Sequence, residues 1–208
     1  MPADVIVLGA GGHARVVIDG LRRAGFSVVG VCAPELRPGE SGPLGVPALG
    51  GDEALARLDR SKHLLANGVG SIGKPEARRK IFERRISEGW HFATLVHPSA
   101  IIGDECGLAE GAQVMAGVVL QCGVRVGRNC IVNTAASIDH DCSIGDHVHI
   151  APGVVLSGDV VIGARSHLGT GAVVIQGIAI GDDVMIGAGA TVTRPVAAGE
   201  QVKAGTRF

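Results

Sequence analysis

The chain has no tyrosine, one tryptophan and four phenylalanines, so aromatic residues make up only 2% of its 208 positions. Hydrophobic residues still reach 46%. The core must therefore be built from Val, Ile, Leu and Ala, which excludes an interior organised around large rings. An excess of one charge is also missing. Nineteen basic against twenty acidic residues give a formal net charge of −1, without the basic footprint that nucleic acid or anionic lipid requires. No apolar run reaches the ~18 residues of a membrane helix, and the nearest candidate, Gly169 to Gly181, stops at Asp182-Asp183. The opening MPADVIVLGAGG lacks a basic n-region and a small-residue cleavage site, so it reads as a first strand rather than a leader. The chain is accordingly expected in the cytoplasm. Five cysteines, at 32, 106, 122, 130 and 142, form no C-x-x-C pair. That argues against a disulfide framework and against a tetrahedral zinc site, and the thiols read as small buried hydrophobes.

Glycine, by contrast, is plentiful: 33 residues, about twice ordinary usage. The chain changes character near residue 93, which divides it into expected domains 1–92 and 93–208. The first reads as α/β. Val5–Leu8 is a short buried strand, Gly9-Ala-Gly-Gly-His13 a glycine-rich turn, and Ala14–Ala24 a helix. Ser27–Cys32 and Lys62–Asn67 read as further strands. Pro75–Gly89 reads as a charged helix with Ala77, Ile81, Phe82, Arg85 and Ile86 at helical spacing. The prolines at 34, 38, 43 and 47 make the segment before an Asp52–Leu58 helix a loop.

From Val96 to Val192 an aliphatic residue occupies every sixth position, seventeen times without an insertion. Four residues after each stands a small or β-branched residue, among them Cys106, Cys130 and Cys142. A period of six matches neither a helix nor two-residue strand alternation. It matches a parallel β-helix in which each hexad is a short strand plus a corner and three hexads close one coil. Residues 18 apart then stack, and the aliphatic columns form one continuous core.

Three segments carry a likeness to known proteins: Gly9-Ala-Gly-Gly-His13, His97-Pro-Ser-Ala100, and Asn133-Thr with Ile138-Asp-His-Asp-Cys142 and His149-Ile-Ala-Pro-Gly153. Nearly end to end, the chain resembles the sialic acid O-acetyltransferase-like branch of the left-handed β-helix acyltransferases. That branch includes bacterial N-acetyltransferases of nucleotide-linked 4-amino sugars. The implied fold is a Rossmann-like α/β N-terminal domain followed by an all-β left-handed parallel β-helix; the hand comes from the resemblance, not from the period. The resemblance also implies acetyl-CoA as co-substrate, no metal, and a homotrimer with sites between subunits.

The residues support specific expectations. A glycine-rich turn entering a helix leaves backbone N–H groups for a phosphate. Gly9-Ala-Gly-Gly-His-Ala14 also fits the loose dinucleotide fingerprint, which is weak alone. An NAD site would add an acid near position 33 and a second βαβ half, but Ala33 stands there and repeats follow, so a sugar-nucleotide diphosphate is the better fit. In the family, residues matching Gly11, Gly12 and His13 cradle the nucleotide sugar. The acids that read the base at the end of strand two are replaced here by Ala33-Pro34, and Gly70 is a further candidate for the same cleft. In hexad register Ile138 points inward, placing Asp139-His140-Asp141 on a corner. An imidazole held by carboxylates keeps one tautomer and becomes a better base. The residue matching His140 is the family's catalytic base and that matching Asp141 its partner. The position matching His149 contacts acetyl-CoA; His167 should stack beside it, and Gly158, Thr170 and Ala188 align with the CoA groove. His140 and His149 are one and a half hexads apart, too far round one coil to share a reacting centre, and this spacing itself favours a trimer. Two histidines 18 apart could instead bind a metal, but no third ligand is evident, and His63, His91 and His147 read as solvated or as satisfied hydrogen bonders. Three activities fit: N-acetylation of a UDP- or GDP-linked 4-amino-deoxy sugar for a bacterial surface glycan, O-acetylation of a sialic-acid-type sugar, and a non-enzymatic trimeric sugar-nucleotide scaffold.

Overall fold

The computed structural model describes residues 4–71 and 76–208. The chain forms two compact units, 4–71 with 76–98 and 99–208. In the first, β1 (Asp4–Leu8), α1 (Gly12–Arg23), β2 (Ser27–Cys32), β3 (Ala48–Gly50), β4 (His63–Asn67) and α2 (Glu76–Ser87) follow in order. The sheet is parallel with order β3-β2-β1-β4. Chain order thus reverses between β1 and β4, and the loops leaving their C-terminal ends diverge there, where open α/β sheets bind ligands. The few rings gather in this unit: Phe82, Trp90 and Phe92 pack with Ile6, Leu8, Leu55 and Leu65.

Two details differ from the sequence reading. The proline-rich segment holds β3, a three-residue strand paired with Val31 and Cys32, and Asp52–Arg57 is a 3-10 helix. In α2 the buried residues are Arg78, Phe82 and Arg85, while Ala77 is exposed. The expected face holds at Ile81, Phe82, Arg85 and Ile86 and differs at its start, where Arg78 rather than Ala77 is buried. Arg78 bonds the carbonyls of Asn67 and Val69, each at 2.8 Å, and Arg85 pairs with Asp52 and Glu88. Pro75, the expected start of this helix, lies outside the described residues.

The second unit is a parallel β-helix of two-residue strands stacked in three sheets. Residues 18 apart are paired, as in Ser137↔Val155, Ser143↔Val161 and His149↔His167. One face carries Ser137 and Val155, the next Ser143 and Val161, and the third His149 and His167. From Val114 to Val192 every inward hexad residue is buried; Val96, Ile102 and Leu108 at the start of the series are less so. The last coil is shorter, with Met185 paired to Gln201, 16 residues on. Glycines recur just after the inward residue because adjacent coils come close there. A Cβ on Gly145 would stand 2.8 Å from the backbone nitrogen of Ala164. Cys32, Cys130 and Cys142 are buried as expected, Cys106 is half-buried, and Cys122 is exposed on a corner. Burial pushes the Cys32 thiol up to about 11, so it stays protonated and inert.

Candidate active site

In the N-terminal unit, Gly9 has φ +97° and its N–H bonds the Cys32 carbonyl at 2.7 Å, turning the chain out of β1. Gly11 is the N-cap of α1, with no side-chain cap and no acid in the first turn. Gly11 and Gly12 are exposed, and nothing lies within 4 Å of where their Cβ atoms would be. The first N–H groups of the helix therefore border open space, an arrangement suited to an anion. Gly70 comes to the same place: its Cβ would lie 3.2 Å from the Cβ of His13. The reason is a lock that sequence reasoning missed. Asn67 accepts the Val69 N–H at 3.2 Å and donates to the Arg78 carbonyl at 3.0 Å, while Arg78 bonds back to the loop. Ala33 is buried and its N–H is bonded to Gly50, so it presents no side chain, while Pro34 is exposed.

In the β-helix, the corner between the first two faces carries His140. Its Nδ1 is 2.9 Å from Asp141 Oδ2. A carboxylate only accepts, so the neutral imidazole carries its proton on Nδ1 and keeps its lone pair on Nε2. The Asp139 carboxylate accepts the His140 backbone N–H at 2.8 Å. Asp141 takes a left-handed conformation, φ +60°, which Asp tolerates better than most side chains. The hydrogen bond to Asp141 holds the His140 imidazole above its ordinary value; partial burial opposes this, and Asp139 and Asp159 add to it. The neutral ring thus keeps an unprotonated Nε2 on this corner.

His149 and His167 lie on the third face, opposite that corner. Their rings meet edge to face with centroids 4.8 Å apart. Asn133 Nδ2 is 3.3 Å from His149 Nε2, and its Oδ1 accepts the Thr134 N–H at 2.8 Å. With Oδ1 so engaged, the amide donates to Nε2, so the His149 proton sits on Nδ1. Asn133 was part of the sequence motif, but nothing in its spacing told of this role. Burial lowers the His167 imidazole and leaves its Nδ1 without a hydrogen-bond partner. Thr170 and Ala188 are exposed on the corner that follows this face. Gly158 lies apart from them: it sits on the His140 corner, directly under the imidazole. Among the described residues no cluster of three or more His, Cys, Asp or Glu is arranged to hold a metal ion.

Residues 4–85 match the PglD N-terminal domain, and 123–158 and 159–194 match the bacterial transferase hexapeptide (six repeats). The acetyltransferase domain of PglB from Neisseria gonorrhoeae, solved with acetyl coenzyme A, is 33% identical over 98% of this chain and 97% of that one, with a TM-score of 0.89. The chain belongs to the hexapeptide-repeat acetyltransferases with a PglD-type N-terminal domain. A histidine-to-alanine mutant of GDP-perosamine N-acetyltransferase from Caulobacter crescentus, solved with CoA and GDP-perosamine, is 36% identical over 97% of this chain and 93% of that one, at a TM-score of 0.88. WeeI from Acinetobacter baumannii shares the fold at 24% identity, with a TM-score of 0.85 over 96% of this chain and 95% of that one. Of these relatives the Caulobacter protein is named as an N-acetyltransferase, and none is named as an O-acetyltransferase of sialic acid.

Proposed function

We infer that this acetyltransferase moves an acetyl group from acetyl-CoA to the amino group of a nucleotide-linked amino-deoxy sugar, a cytoplasmic step toward a bacterial surface glycan. The observation that carries the reading is the His140–Asp141 pair, which leaves Nε2 as a base on an outward corner. His140 Nε2 takes the proton as the amine attacks the thioester carbonyl. The C–N bond forms, the C–S bond breaks, and the proton passes to the departing thiolate. A base so placed contributes roughly 10²–10⁴ in rate. His149 stands at the thioester end of the cofactor, with His167, Thr170 and Ala188 lining its path. Because His149 lies across the coil from His140, one site draws its base from one subunit and its cofactor contact from another, in a homotrimer. The open turn at Gly11, Gly12 and His13, with Gly70, takes the sugar-nucleotide diphosphate.

The test is thiol release from acetyl-CoA against a panel of UDP-, GDP- and CMP-linked sugars, amino and hydroxyl. Turnover confined to nucleotide-linked amino sugars is expected. Turnover only of hydroxyl sugars would make the enzyme an O-acetyltransferase, and none with any sugar would leave a binding scaffold.

A further inference from the structure

Every sixth-residue corner has a second turn position whose side chain points away from the coil. Along the corner that carries His140, this column reads Asp104, Cys122, His140, Gly158 and Gln176. Four of the five bear side chains, so the position itself does not call for glycine. Nor does the backbone: Gly158 is absent from the residues with positive φ, and any amino acid can take its conformation. What sets it apart is the ring from the coil before. A Cβ on Gly158 would stand 2.5 Å from His140 Nε2, 2.6 Å from Cε1 and 3.1 Å from Cδ2. The imidazole lies against the one position in the column that has no side chain, and Nε2, the basic nitrogen, is the atom closest to the missing methyl. Across the pair, a Cβ on Gly123 would stand 2.7 Å from Asp141 Oδ1. There, however, φ is +76°, so that glycine has a second reason to be one.

We propose that Gly158 is a positioning residue for the base: its bare Cα is the seat on which the His140 ring lies while Asp141 holds Nδ1, and this is why position 158 is glycine. The proposal rests on the reading of His140 as the base. A methyl group at 158 meets the far end of a side chain rather than backbone, so the ring swings away and the coil stays intact. Displacement takes the imidazole off Asp141 Oδ2 and changes its relation to Asp139 and Asp159, the other acids near it.

The experiment is Gly158→Ala, followed by steady-state kinetics and by NMR titration of the His140 ring, assigned from its loss in His140→Ala. The ring should titrate at lower pH than in the wild type. The kcat should fall about 10–100-fold, the scale of an ångström-sized misplacement, with the acetyl-CoA KM unchanged. A raised acetyl-CoA KM at unchanged kcat would overturn the proposal in favour of a cofactor contact, and so would an unmoved titration. The titration reads ring placement without reference to turnover. A fully active His140→Ala enzyme would remove the base reading while leaving that result to stand. If Gly158→Ala does not fold, the double variant His140→Ala/Gly158→Ala decides. With the ring gone it folds if the imidazole was the obstacle, and it fails if the backbone was.

Discussion

The two units of this chain solve the same problem, covering a parallel sheet, by opposite means. The described residues of the first unit cover a four-stranded sheet, its strands three to six residues long, with two α-helices, and Trp90, Phe82 and Phe92 fill one irregular core. The β-helix uses no Phe, Tyr or Trp before its last residue and closes its sheets on themselves, each coil covering the one before. An irregular core must be specified residue by residue. A stacked core is specified once and repeated, leaving the outward positions open to other uses. The candidate base, its carboxylate partner and the two paired histidines all stand at such outward positions.

The sharpest way to break this comparison is to charge one column. Val126 is 3% exposed and is paired with Leu108 and Ile144 in neighbouring coils. Val126→Asp would bury an unpaired carboxylate between them, and soluble protein should not be recovered. Normal yield and an unchanged melting temperature would show that the repeat is not the core.

A smaller effect separates pairing from presence at the corner. Asp141→Asn keeps the His140 ring but replaces the accepting carboxylate. Because the bond to Asp141 raises the His140 imidazole, its removal lowers that value. A base must be deprotonated to act, so the acidic limb of kcat/KM should move to lower pH, while the maximal rate falls by less than in His140→Ala. A limb that stays in place would mean that His140 does not govern it.

The smallest change probes the N-terminal unit. Gly11 has an ordinary φ of −76° and open space around it, so Gly11→Leu should leave the melting temperature almost unaltered. The sugar-nucleotide KM should rise about tenfold, equivalent to ~1.4 kcal/mol, with the acetyl-CoA KM unmoved. Equal changes in both would deny the division of labour between the units.

How far the sequence could be read follows from the same contrast. The period of six reports what faces inward, and it located the β-helix and, by subtraction, the His140 corner. It could not report what one coil does to the next outside the core. Gly158 was legible only as a position aligned with the CoA groove, and its place under the His140 ring needed the structure. Asn133 needed its contacts with Thr134 and His149 to acquire a role. In the α/β unit, β1, β2 and β4 were legible from their apolar runs. The third strand was not, because Ala48-Leu-Gly50 is defined by pairing with β2 rather than by its own composition. Arg78 would point toward solvent on its charge alone, and only its bonds to the carbonyls of Asn67 and Val69 reverse that.

The central claim is that one active site is assembled from the corner of one subunit and the flat face of another. It is tested most directly by mixing His140→Ala with His149→Ala subunits, each nearly inactive alone. Mixed trimers, counted by native mass spectrometry, should recover activity in proportion to the interfaces at which an intact His140 meets an intact His149. Mixed trimers that form and stay as inactive as their parents would contradict the shared site.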